Sequence, residues 1–161
     1  MNEAEAKVYE FFEKIGISYI RHEHPPVYTV EEAKQYWGKI EGMHCKNLFL
    51  RNNKGNRHYL VIMEQSQKAD LKKLADKTGA GKLSFASPKR LNKYLGLDTG
   101  AVSPFGLIND QNKEVQVVLD SSLKQADQIN FHPNVNTATI TLSFTDFMLF
   151  LERCGHELIY L

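Results

Sequence analysis

Apolar residues recur along this chain with two different periods. From Ala4 to Ile15, Val8, Phe11, Phe12 and Ile15 fall three and four residues apart and Gly16 follows, which predicts an amphipathic helix and its stop. The stretch ISYIRHEH then reads as a strand, ended by Pro25 and Pro26, which lack backbone donors. Thr29 with Glu32 has the form of a capping box and predicts a short helix through Ala33 and Tyr36 before Gly38, although the pattern does not show which surface it covers. Two apolar runs within KNLFLRNNKGNRHYLVIME, joined by a polar turn containing Gly55, predict a β-hairpin.

Farther on, Leu71, Leu74 and Ala75 share a helical face stopped by Gly79, and Ser87-Pro88 opens a second helix as cap and first residue. GLIND and KEVQVVLD read as strands on either side of the turn from Asp110 to Lys113, and NTATITLS as a third. Ser143 is placed to cap a helix carrying Phe144, Phe147, Met148 and Leu151, and ELIYL forms a last strand. Strands that come partly as hairpins and partly between helices give an α+β class, a single-domain mixed β-sheet layered with helices.

Composition narrows the function classes. The chain has 161 residues, 42% of them hydrophobic, enough for one sizeable core and one domain over residues 1–161. Twenty Lys and Arg against nineteen Asp and Glu exclude coating of nucleic acid by bulk charge, so any RNA contact has to be local. Cys45 and Cys154 lie far apart and form no disulfide framework, the start is acidic where a signal peptide would be basic, and no long apolar run occurs. These features point to a soluble, cytoplasmic protein without a membrane partner.

The common catalytic signatures are missing. His22 and His24 flank a glutamate and His44 adjoins Cys45, but neither spacing suits a structural zinc, so no metal site is expected. Cys45 stands alone and reads as a small buried thiol, no GxSxG elbow occurs, and Gly79 to Gly81 lack the pattern of a phosphate loop. Three segments remain. Lys46 and Asn47 stand at the threshold of a core strand; the loop Asp98–Leu107 packs two glycines and a proline before an apolar run; His132 precedes Pro133. Taken singly, these read as a solvated strand end, an ordinary turn and a packed histidine.

In this order and spacing, the three resemble the motifs of the YbaK/prolyl-tRNA synthetase-associated editing domains, and among them the free-standing Ala-tRNA(Pro) deacylases. The resemblance covers nearly the whole chain. It implies that family's fold and a trans-editing hydrolase that cleaves the aminoacyl ester of mischarged Ala-tRNA(Pro) with a positioned water. A site built for proline discriminates against the smaller alanine by only about 1–3 kcal/mol, so a second site must sort by size.

By the same resemblance, Lys46 and His132 are the catalytic residues, and Asn47, Gly100, Ala101, Val102, Ser103, Pro104 and Val30 bind substrate. The expected arrangement is a cavity walled by the Gly100–Pro104 loop with the Lys46 ammonium at its rim. No cofactor is implied. The partner is the tRNA(Pro) acceptor end carrying alanine, with prolyl-tRNA synthetase as a second partner and a monomer as the working state. Lys82, Lys89, Arg90 and Lys93 either assist the tRNA contact or form an exposed helix face. Two other readings stay open: a deacylase for Cys-tRNA(Pro) or another small amino acid, and a non-catalytic regulator that binds tRNA ends.

Overall fold

Every helix begins where a short polar side chain can take up an orphan amide. In the computed structural model, which describes residues 1–161 except for the side chain of Val30, helix α1 spans Glu3–Ile15 and Asn2 accepts from the amide of Ala4. In α2 (Val30–Trp37), Thr29 accepts from Glu32; in α3 (Leu71–Thr78), Asp70 accepts from Lys72 and Lys73. In α4 (Pro88–Leu95), Ser87 accepts from Arg90; in α5 (Phe144–Cys154), Ser143 accepts from Asp146. Such caps contribute about 1 kcal/mol each and depend only on neighbours in sequence, which is why the pattern located the starts at Thr29, Ser87 and Ser143; the pattern did not show the caps Asn2 and Asp70.

The strands are β1 (Ile20–Glu23), β2 (Met43–Asn52), β3 (His58–Glu64), β4 (Leu83–Phe85), β5 (Val115–Leu119), β6 (Gln128–Phe131), β7 (Ala138–Ser143) and β8 (Leu158–Tyr160). They form one mixed sheet in the order β1-β7-β6-β2-β3-β5-β8, with β4 also on β2. Three expectations change. GLIND belongs to a 3₁₀ segment, Pro104–Asn109, not a strand: Ser103 caps it, Pro104 opens it, and Gly106 lies so close to Leu97 that a Cβ there would come within 2.6 Å of a methyl carbon. Strands β4 and β6 lack any alternation strong enough to be seen beforehand. β1 is shorter than ISYIRHEH because Ile17 turns into the core instead.

Two apolar clusters flank the sheet. The larger holds α1, α5 and the 3₁₀ segment through Phe12, Phe105, Phe131, Phe147 and Phe150. The Phe105 ring meets those of Phe12, Phe131 and Phe150 edge-on, at centroid distances of 5.1, 5.7 and 5.0 Å. The smaller cluster packs Leu74 and Ala75 of α3 against Leu50, Tyr59 and Val61. Helix α2, whose partner the pattern left open, covers rings: Tyr36 stacks on His24 and Trp37 on His44, at 5.2 and 5.0 Å. Beneath it the sheet is polar, with Thr141 donating to Asn130 and sharing a hydrogen bond with His22.

Candidate active site

Strand β2 is where the sheet forks. One of its edges pairs with β3 from Cys45 to Arg51. The other pairs in parallel with β6 at Met43 and His44 only, and again with β4 from Leu50 to Asn52. The stretch between has no strand neighbour on that side, and Lys46 and Asn47 stand in it. Into this gap comes the loop that follows α4. The Asn47 side-chain amide donates to the Val102 carbonyl at 3.5 Å, while its Oδ1 is buried with no partner. A buried acceptor left unpaired costs about 1–3 kcal/mol, so it marks a place where a donor from outside would be welcome.

Lys46 does not join that contact. Successive side chains on a strand point to opposite faces. Cys45 and Phe49 lie against the larger cluster, on the side of Asn47, whereas Leu48 and Leu50 belong to the smaller. Lys46 therefore leaves β2 on the other face, and its ammonium donates to the carbonyl of Gln67 in the β3–α3 connection. The expected ammonium at the rim of the Gly100–Pro104 loop is thus corrected: Asn47 is the residue of the pair that reaches the loop.

The loop itself is firmly built. Thr99–Ala101 make a 3₁₀ turn, and the Ala101 amide donates to the Asp98 carbonyl at 3.0 Å. Ser103 and Pro104, expected to touch substrate, are buried instead; the Ser103 hydroxyl accepts from the Phe105 amide at 3.0 Å and so fixes the following turn. Val102 is half-buried against the larger cluster. Gly100 and Ala101 line a cavity of about 660 Å³, together with Tyr28, Asp98, Asn134 and Asn136. A Cβ at Gly100 would lie 3.5 Å from both the Tyr28 ring and the Asn136 amide.

His132 lies just past the end of β6. Its Nδ1 donates to the Ala138 carbonyl at 2.9 Å, which leaves Nε2 as the basic nitrogen. Burial lowers its pKa below the ordinary histidine value, and the nearby His24 adds to the shift, so the ring is neutral at pH 7. His132 faces a tight gap under α2 with His24, Tyr36 and Thr139, not the cavity beside Gly100. Val30, expected in the pocket wall, has its side chain outside the described residues.

Of the other candidates, Cys45 and Arg90 have structural surroundings. Burial pushes the Cys45 thiol pKa well above its ordinary value, as expected of an inert thiol. Arg90 of α4 donates to the Gly55 carbonyl at 3.0 Å and to His58 Nε2 at 3.1 Å, bracing the β2–β3 turn, while Lys82, Lys89 and Lys93 are exposed. The pattern missed Tyr28, Asp98 and Asn134. Asn134 had a signal, since Pro-Asn marks a turn, and its φ of +62° is left-handed.

Residues 24–150 match the family described as the aminoacyl-tRNA editing domain. The chain is 46% identical over 154 residues to the prolyl-tRNA editing protein ProX of Acetoanaerobium sticklandii, covering 96% of this chain and 94% of that one. It is 33% identical over 159 residues to the prolyl-tRNA synthetase associated domain-containing protein 1 of Mus musculus, covering 94% of each. Its fold superposes, with a TM-score of 0.74 and 22% identity over 99% of this chain and 97% of the other, on the crystal structure of a candidate trans-editing enzyme for prolyl-tRNA synthetase.

Proposed function

Because the chain belongs to the aminoacyl-tRNA editing domain family, we propose that it is a trans-editing hydrolase that removes alanine from mischarged tRNA(Pro) in the cytoplasm. One observation carries the reading: the unpaired Asn47 Oδ1 sits where the forked strand meets the glycine-proline loop. An aminoacyl ester presents an α-ammonium beside its carbonyl, and that ammonium is the donor the orphan oxygen lacks. Held there, the acyl carbon lies against the Gly100–Val102 backbone. Water adds to this carbon, the bond to the ribose oxygen breaks, and the proton passes to that oxygen, releasing alanine and uncharged tRNA. No covalent enzyme intermediate is required, since the ester is already activated and positioning does most of the work.

Neutral His132, its tautomer set by Ala138, faces the tight gap under α2 and is suited to hold that helix in place beside the site rather than to touch the reacting water. Lys46, on the opposite face of β2, is suited to grip a phosphate of the acceptor end once its ammonium leaves the Gln67 carbonyl. Two free cysteines fit a reducing compartment. The test is incubation with Ala-tRNA(Pro), Cys-tRNA(Pro) and Pro-tRNA(Pro), following loss of each charged species. Loss of alanine alone is expected. Loss of cysteine in place of alanine would reassign the substrate, and stability of all three would leave a binding module of the same fold.

A further inference from the structure

The balanced total charge conceals a segregation along the chain. Between Lys46 and Lys93 stand twelve Lys and Arg against three Asp and Glu, whereas the rest of the chain carries eight against sixteen. Among the described residues every ion pair involves Arg21 or His156, so no carboxylate neutralises any of those twelve cations at contact distance. The three acids oppose them weakly: Asp70 caps α3, Glu64 accepts from Ser66, and Asp76 is exposed on α3 beside Lys72, Lys73 and Lys77. Charge gathers most closely around the β2–β3 turn. Lys54 and Arg57 of that turn and Lys82 after α3 line an open cavity of about 590 Å³ together with Asn53, Asn56 and Gly81, and no acid lines it. The turn is braced from beneath. Asn52 Oδ1 accepts from the amides of Asn56 and Arg57, both at 3.1 Å, and Arg51 and Arg90 donate to the Asn53 and Gly55 carbonyls, both at 3.0 Å. These two guanidiniums converge on Gly55, where a Cβ would lie 2.9 and 2.8 Å from them, and with Lys93 they push the pKa of nearby His58 down further than burial alone does.

We infer that the cavity between Lys54, Arg57 and Lys82 grips a backbone phosphate of the acceptor stem, at the far end of the sheet face on which Lys46 stands. Three cations that converge without a carboxylate repel one another, and an anion between them relieves that repulsion. The C-terminal end of α3 lies nearby, but its dipole carries only about half a negative charge against three full positive ones. That dipole accounts for a lysine after the helix, not for Lys54 and Arg57, which come from a different turn. Distance decides the kind of anion. Lys46 and Asn52 lie six residues apart on β2, about 20 Å, and Lys46 leaves the strand on the face that α3 covers. One free phosphate cannot span that length; a polynucleotide backbone, charged at every residue, can, and its contacts position a stem without reading its bases. Lys89 and Lys93 belong to α4, which packs against the larger cluster on the other side of the sheet, and take no part. The assignment rests on the editing function proposed above and adds a second hold on the substrate, beyond its single-stranded end.

Fluorescence anisotropy of uncharged tRNA(Pro) across a salt series tests the grip without any turnover. Lys54, Arg57 and Lys82 are exposed, so a variant carrying Lys54→Ala, Arg57→Ala and Lys82→Ala should fold as the wild type does. It should bind about tenfold more weakly, and its log–log salt dependence should be shallower by about 2–3. In deacylation, KM for Ala-tRNA(Pro) should rise about tenfold with little change in kcat. Alanine carried on a short CCA oligonucleotide, which ends before the cavity, should be released by variant and wild type alike. Lys7→Ala with Lys14→Ala, on α1, controls for net charge. An equal loss of binding in that control would reduce the effect to bulk charge and overturn the assignment. A triple variant with wild-type affinity, salt slope and KM would overturn it as well, in favour of an acidic protein partner for this face. Binding of tRNA that the triple variant weakens, by a protein that does not deacylate Ala-tRNA(Pro), would uphold the grip and overturn the editing reading.

Discussion

Replacing Asn47 with leucine, a side chain of similar shape without polar atoms, sets the stability of the free protein against its activity. In the unliganded fold Asn47 makes one long hydrogen bond, 3.5 Å to Val102, and leaves Oδ1 buried and unpaired. The bond contributes at most about 0.5 kcal/mol at that length, whereas the orphan oxygen costs about 1–3 kcal/mol. Asn47→Leu removes both, for a net gain of about 1 kcal/mol, which raises Tm by roughly 2–4 °C in a chain of this size. In the complex the same oxygen would accept from the substrate ammonium. A hydrogen bond to a charged group contributes about 1.5–3 kcal/mol, so kcat/KM should fall about 10- to 150-fold. Thermal denaturation and single-turnover deacylation of Ala-tRNA(Pro) read the two quantities. A variant that melts lower than the wild type and deacylates at full speed would refute the reasoning on both counts, for it would mean that Oδ1 is satisfied in the free protein and idle in the complex.

Lys46→Ala should lower Tm by less than about 4 °C, because one solvent-accessible hydrogen bond to Gln67 is lost, yet slow deacylation about 100-fold or more; a full-speed variant would remove the lysine from substrate binding. Gly100→Ala should be nearly silent, since its Cβ meets Tyr28 and Asn136 at an ordinary 3.5 Å, whereas the methyls of Gly100→Val reach into those contacts and should impair turnover, measurable as kcat/KM on the same substrate. Stability should fall on acidification through His58. Burial, with Arg90 and Arg51 behind it, lowers its pKa from 6.5 to about 4. The folded state therefore binds this proton less readily than the unfolded one, and stability complete above pH 6.5 is lost as the pH falls toward 4, by about 3 kcal/mol in all. Urea titrations at pH 7 and pH 4.5 measure it, and His58→Phe should flatten that dependence.

The chain's own pattern determined everything that depends on near neighbours. Thr29, Ser87 and Ser143 announce helix starts because a cap reaches only two or three residues ahead, and the β2–β3 hairpin is legible because its turn and both its strands are contiguous. Period-2 alternation even held the information that Lys46 and Asn47 leave the strand on opposite faces, although the motif presents them as a pair. Tertiary structure alone decided the rest. The fork in β2 exists because two short strands from distant parts of the chain, β4 and β6, take opposite ends of one edge and leave its middle open. Gly100 meets Tyr28, and Asn47 meets Val102, across more than fifty residues. No local period encodes such contacts. They follow from packing Phe105 among Phe12, Phe131 and Phe150, which draws the loop into place once the whole core has closed.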